Sequence, residues 1–472
     1  MCAIEQLREH LAALDASISE QESVLHGLQK QRTDVLAALD LVVYPVLTLP
    51  PEITAEIFLW CIDTGKRVAS SEAPLLLTQI CRDWRSLAIA TPALWDTIPE
   101  IEFGSTLGAP QPEMVIDTWF QRAGTRPLTL VIRYSELDDP TLLESVLHPH
   151  APRLQDLNLM CDLQALVDFT TIPSFPILRK LVLSSMDDVE DVDDEDAQIE
   201  LFRVDGTPLP SDFHLEHILP SMVVIPWAQL TKLTLAIIPH QECLDILRLV
   251  PALRDFARKH SAELAEGLSP DESMVTHPTI TSLTILDPEW DGSILPCLIL
   301  PQLESFKLGS RFTMYQTYSD AYVFPFLSKI AGTLRTFTVG LSPSVPLSWL
   351  DALSHLTTLE LAHPMGLPFQ SHVIRALDRR MYPEFLPKLR AFVFIDCPSD
   401  AVNEDLLGAL DSRLAGPTDS ESTCARLESF RLVWPKYPQA GQLPLVNVPA
   451  LRALAQRGLR IHVGTKDQNS FY

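Results

Sequence analysis

Two histidine pairs come nearest to chemistry by residue type and spacing. His148 and His150 flank Pro149, and His214 and His217 stand three apart, so either pair could offer two imidazoles to one metal ion. Protein zinc sites use three or four side chains, and neither pair has a neighbouring cysteine or third histidine. No metal and no cofactor is expected. Phosphate-cradling glycine loops, the serine nucleophile elbow and the two-histidine zinc helix each have a defined spacing, and the sequence contains none of them. Carboxylates are so numerous that no pair can be nominated as an acid–base couple. The chain reads as a protein without catalysis of its own, whose informative side chains are apolar.

Composition narrows the partners. A formal charge of −25 argues against nucleic acid and against an anionic membrane surface, because phosphate contacts need clustered Lys and Arg. No apolar stretch approaches the ~18 residues of a membrane span, and the charged first residues are no signal peptide. The eight cysteines are scattered without a C-x-x-C pair, which fits reduced thiols in the cytoplasm or nucleus. Glycine is sparse (17) and proline plentiful (38), a usage that suits many short elements joined by rigid turns.

Three textures follow one another along the chain. Over residues 1–44, Ile4, Leu7, Leu11, Leu14, Ile18, Gln21, Leu25, Leu28, Arg32, Val35 and Leu39 mark alternating steps of three and four. This is a heptad seam broken at Gln21 and Arg32. It predicts a helix of roughly 55 Å that ends before Pro45. Such a helix could pair as a coiled coil with a second copy or a partner over 4–39, or fold its stripe onto its own chain.

Residues 45–100 predict a small three-helix unit. Leu49-Pro50-Pro51-Glu52-Ile53 places prolines in a first turn that needs no amide donor. Ile53, Ile57 and Trp60 share one face, with Phe58 and Cys61 beside them. After a loop from Thr64 to Ala73 comes an apolar helix, Leu75 to Trp84. Thr91-Pro92 then announces a short helix carrying Leu94 and Trp95.

From residue 101 to 472 a six-residue frame recurs, apolar at positions one, four and six. Copies begin at Leu154, Leu178, Leu230, Ile280, Leu303, Leu334, Leu356, Leu389 and Leu427, with Leu253 and Phe256 as a partial copy. Offsets in the twenties with this frame indicate an α/β solenoid of leucine-rich-repeat type. Each copy predicts a short strand followed by a returning segment, helical for example over Glu242–Leu249 and Ser371–Arg379. The gap between Leu178 and Leu230 spans about two periods, so a copy there is missing or disguised. It holds Asp187, Asp188, Glu190, Asp191, Asp193, Asp194, Glu195 and Asp196, within a loop placed at about 186–200. The run reads as a solvated loop or as a lure for a basic partner. It lacks the turn glycine and ligand spacing of a calcium loop. At the position where leucine-rich repeats carry Asn or Cys, the frames have Asp162, Met186, Ile238, Pro288, Arg311, Ser342, Pro364, Cys397 and Pro435. Only Cys397 fits, so an irregular stack is expected.

The middle texture resembles the F-box family. That family's three blocks, L-P-x-E-I, V-C-x-x-W and P-x-L-W, are matched in order by Leu49-Pro50-Pro51-Glu52-Ile53, Ile80-Cys81-Arg82-Asp83-Trp84 and Pro92-Ala93-Leu94-Trp95. With the leading heptad helix and the leucine-rich remainder, the arrangement is similar to F-box proteins abundant in mushroom-forming fungi. The resemblance implies docking to a Skp-family adaptor, and through it to a cullin, by Leu49, Pro50, Ile53, Ile57, Phe58, Ile80, Cys81, Trp84, Leu94 and Trp95. It further implies a substrate-recognition subunit of an SCF-type ubiquitin ligase, whose repeats hold a protein target while other subunits carry the chemistry. A scaffold using the repeats without ligase function is the alternative.

Overall fold

In a computed structural model the chain is a mixed α/β protein built on one large parallel sheet. The structure describes residues 2–40, 49–63, 67–103, 112–134, 141–167, 175–185, 198–200, 210–259, 274–286, 291–309, 319–340, 345–363, 372–396, 402–414, 424–434 and 448–465. The acidic run at 187–196 lies outside them, as do Met186, Pro288, Arg311, Ser342, Pro364, Cys397 and Pro435. No helix among the described residues is long and apolar enough to cross a membrane.

Contacts divide the chain into two compact units. The first comprises residues 1–63 and 69–94, and the second residues 64–68 and 95–472. The division at Leu94/Trp95 lies within the 45–100 stretch read from the helix pattern, since the ring of Trp95 meets that of Trp119 and the strand from Thr97 joins the sheet.

The first unit holds α1 (Cys2–Asp40), α2 (Pro51–Trp60), α3 (Leu77–Ile80), α4 (Arg82–Ile89) and a 3₁₀ turn at Pro92–Leu94. The helix expected over Leu75 to Trp84 is broken. Cys81 is extended (φ −153°, ψ 174°), and its Sγ accepts the Trp84 amide at 3.4 Å as the N-cap of α4. Sulfur here takes the role that Ser or Asp usually plays, satisfying one of the orphan amides of a new helix.

The sheet unit contains strands β1 (Thr97–Phe103), β2 (Leu128–Tyr134), β3 (Leu154–Cys161), β4 (Lys180–Ser185), β5 (Asp212–Glu216), β6 (Lys232–Ala236), β7 (Asp255–Lys259), β8 (Val275–Thr276), β9 (Ser282–Ile285), β10 (Leu298–Ile299), β11 (Ser305–Leu308), β12 (Thr336–Gly340), β13 (Thr358–Ala362), β14 (Ala391–Ile395), β15 (Ser429–Trp434) and β16 (Arg460–Thr465). Apart from the small β8–β10 pair, these form a fourteen-stranded parallel sheet in chain order. Helices α5 (Pro112–Arg122), α6 (Thr141–His150), α7 (Leu163–Val167), α8 (His240–Leu249), α9 (Asp320–Ile330), α10 (Leu347–Asp351), α11 (His372–Ala376), α12 (Glu404–Ser412) and α13 (Val448–Gln456) lie on the connections. The helix expected over Ser371–Arg379 stops at Ala376, which frees Arg379 to reach the carbonyls of Ala425 and Pro387.

The frame's fourth position becomes a continuous internal row. From β3 onward, Leu157, Leu181, Phe213, Leu233, Phe256, Leu283, Phe306, Phe337, Leu359, Phe392, Phe430 and Ile461 stand in register, all buried. Phe306 stacks on Phe337 and Phe392 on Phe430, each pair with ring centroids 5.6 Å apart. Strand β5 is the disguised copy: Pro210 opens it in place of leucine, followed by Phe213 and Leu215. The partial copy at Leu253 is partial because its sixth position is Arg258, which is buried and donates to the Ile238 carbonyl at 3.0 Å.

Backbone bonds tie neighbouring strands together at both ends. The carbonyl of Thr231 accepts the amides of Arg254 and Asp255, that of Arg254 accepts Thr281 and Ser282, and the pattern repeats through Glu304, Arg335, Thr357 and Arg390. At the opposite strand ends His217, Ile237 and Asp396 adopt left-handed φ (56°, 55°, 55°), and their amides donate to Ala236, Lys259 and Val433. Buried backbone groups are thereby satisfied without a specific side chain.

Arg413 closes the corner after α12. It is 1 % exposed and donates to the carbonyls of Leu377 (2.6 Å), Phe385 (2.7 Å) and Leu386 (3.1 Å). Burial, with Arg379 nearby, pulls its guanidinium down to about 10, still cationic at neutral pH. Replacing it leaves three buried acceptors bare, each costing about 1–3 kcal/mol. Arg413→Ala should therefore lose at least about 3 kcal/mol in chemical denaturation. Arg413→Lys should rescue little, since one ammonium cannot reproduce a planar fork.

Candidate functional site

Helix α2 sorts its side chains cleanly. Pro50 precedes it with φ −55° and ψ 143°, and both the amide and Oγ1 of Thr54 donate to the Pro50 carbonyl, at 3.1 and 3.3 Å. Thr54 and Phe58 point inward and are buried. Ile53, Ile57 and Trp60, spaced for one helical stripe, are 49 %, 39 % and 71 % exposed. Leu49 before the helix is also exposed, as are Leu76, Ile80 and Ile89 on or beside α3 and α4.

The ten residues singled out by sequence therefore divide. Phe58 is fully buried, its ring 4.8 Å from that of Trp84, so it belongs to the interior and offers no contact surface. Leu94 is likewise interior. Cys81 caps α4, and Trp84 is half-buried on Phe58. Trp95 leaves the group altogether. It lies in the sheet unit, wholly buried, edge-on to Trp119 at 5.0 Å, with the Arg122 guanidinium 4.4 Å from its ring. Leu49, Pro50, Ile53, Ile57 and Ile80 remain at the surface. Trp60, Leu76 and Ile89 are surface residues that the motif comparison left out, although the helical spacing of Trp60 with Ile53 and Ile57 was visible.

A groove of about 430 Å³ runs between α2 and α4. Leu49, Pro51 and Thr54 line one wall, and Asp83, Trp84, Ser86, Leu87 and Ala90 the other. The unit thus combines an apolar helical stripe with a shallow cleft, each supported by a filled interior. Apolar anchors presented on short rigid helices suit recognition of another protein.

The second candidate surface is the sheet face opposite the buried row. There Asp156, Lys180, Asp212, Lys232 and Asp255 stand side by side on β3 to β7 with alternating sign. Lys232 meets Asp212 at 2.9 Å, a bond that raises the lysine's pKa. One step along the strands, Asn158 and His214 flank Val182. Among the described residues the Oδ1 of Asn158 and Nε2 of His214 have no hydrogen-bond partner. Burial first, then the charge of Lys259 and of Lys180, pulls His214 down to about 4, against the opposing pull of Glu216 and Asp212. Ser184 on the same face donates to Glu216 at 3.1 Å.

One member of each histidine pair is held by the fold. His150 meets Asp117 at 2.8 Å and packs edge-on to Phe120, while His217 occupies the left-handed turn. Among the described residues no three His, Cys, Asp or Glu side chains converge on a common point. No protein-family model and no curated protein matches the chain.

Two outcomes follow. Phe58→Ala should lower the unfolding free energy by about 3–4 kcal/mol, whereas Ile53→Ala should stay within about 0.5 kcal/mol, as read by thermal and denaturant unfolding. His214 is neutral in the folded chain and titrates near its ordinary value of about 6.5 once unfolded. Its contribution is thus complete above pH 6.5 and is lost as pH falls towards 4. Between pH 7 and pH 5 this removes about 2 kcal/mol, and His214→Gln should lose that share of the pH dependence in parallel denaturant titrations.

Proposed function

We propose that the chain is a substrate-recognition subunit of an SCF-type ubiquitin ligase. The first unit, an F-box, docks a Skp-family adaptor, and the sheet unit, a leucine-rich-repeat-like solenoid, holds a protein target. The observation that carries this reading is the split within the motif-matching helices. Phe58, Leu77 and Leu94 fill the interior, while Leu49, Ile53, Ile57 and Trp60 keep exposed apolar surface. A self-contained helical unit has no use for such a stripe, and large apolar side chains at a protein interface usually dominate its affinity.

In this reading the adaptor takes the α2 stripe, and the cullin and conjugating enzyme follow from the adaptor. The chain moves no proton and forms no covalent bond. It contributes proximity, raising the effective concentration of a target lysine near the charged conjugating enzyme. The polar sheet face supports the target-binding half, because alternating Asp and Lys offer paired charges for specificity without a bulk field.

The experiment is binding of the purified full chain to a Skp-family adaptor. Trp60→Ala should weaken it about 30-fold, the equivalent of 2 kcal/mol. Ile53→Asp with Ile57→Asp should abolish it while circular dichroism stays unchanged. Undiminished binding by the folded double variant rejects the docking surface, and no binding by the parent chain rejects the F-box reading.

A further inference from the structure

Helix α1 spans 39 residues, and every side chain described on it, from residue 5 to residue 37, is exposed to solvent. Leu7, Leu11, Leu14, Ile18, Leu25, Leu28 and Val35 lie along one heptad seam, each between 49 % and 70 % exposed. An apolar stripe of that length left to water is unfavourable. We propose that α1 joins two copies of this chain as a parallel, in-register two-stranded coiled coil.

The occupant is specified by the polar breaks and by the flanking charges. Gln21 sits at a d position, so whatever covers the seam must supply a hydrogen-bonding group at that height. A second copy in parallel register does so automatically, amide against amide. An antiparallel copy that overlaps nearly the whole seam sets Gln21 against Ile18 and Arg32 against Leu7, leaving both polar groups on apolar partners, and a shift that pairs Gln21 with Arg32 gives up the seam at Leu7 and Leu11. The flanks agree. In the parallel pair, His10 faces Asp15 of the other copy, and Ser17 faces Glu22, so no like charges meet across the seam's edges. In the antiparallel pair Asp15 and Glu22 crowd the same edge. Arg32 opposite its own counterpart is the one unfavourable match, and its long stem can carry the guanidinium out to water. Burying about 90 Å² of each seam side chain on both helices removes on the order of 1,200 Å², the size of a specific protein interface.

This inference stands on α1 alone and does not depend on the ligase reading. The test is sedimentation of the full chain over about a hundredfold range of concentration, since dimer population follows mass action. A dimer is expected, and Leu14→Asp with Leu25→Asp should give a monomer whose sheet signal is unchanged. Orientation is read from Leu7→Cys under mild oxidation, with peptide mapping to separate the new thiol from the native ones. The parallel pair puts the two position-7 sulfurs side by side and bridges them. An antiparallel pair holds them about 37 Å apart and cannot. A monomer throughout the range, a dimer that survives the double Asp change, or a dimer without the 7–7 bridge overturns the proposal.

Discussion

The sheet unit rests on one constraint: no strand in it can stand alone. A parallel strand of five or so residues buries its apolar face only when the strands on either side do the same in register. Its carbonyl at the second frame position needs two amides from the next strand. The leucine and phenylalanine row and the bifurcated backbone ladder are two expressions of that dependence. Where the row takes an exception, as at Arg258, the guanidinium is led to a backbone carbonyl instead of being abandoned in the interior.

The small helical unit solves a different problem with the same side-chain types. Its core must be complete within a few turns, so each apolar residue spent on the interior is unavailable outside. Phe58 on Trp84 fills the centre, and Cys81 lends its sulfur to begin α4, which turns the chain sharply without proline or glycine. The residues left over on α2 form the outward stripe. Function, in the proposed reading, is therefore carried by what the interior did not need.

Much of this was legible in the sequence. A period of three and four announced α1, and the one-four-six frame announced most strands of the sheet because burial on one strand face imposes that spacing. Strand β5 escaped because Pro210 replaces its first leucine, and the partial copy at Leu253 was explained only when Arg258 proved buried. The motif residues were harder. Neighbours such as Ile57 and Phe58 belong to the same recognisable string, yet one faces out and the other in, and nothing in a linear pattern distinguishes an anchor from a core residue. Trp95 shows the same ambiguity. It ends the motif, but its ring answers to Trp119 and Arg122, more than twenty residues away in sequence. The placing of Asn158 and His214 on either side of Val182 required the register of three strands, which no local spacing encodes.

Because each strand exchanges contacts almost wholly with the strand before and the strand after it, the molecule has no single keystone. A substitution on β6 is felt on β5 and β7 and scarcely at β15. Evolution can therefore rewrite the outward residues of one stretch, altering which surface features are displayed there, while distant stretches keep both their stability and their own displayed features. Novelty in one sector need not be repaid by compromise in another.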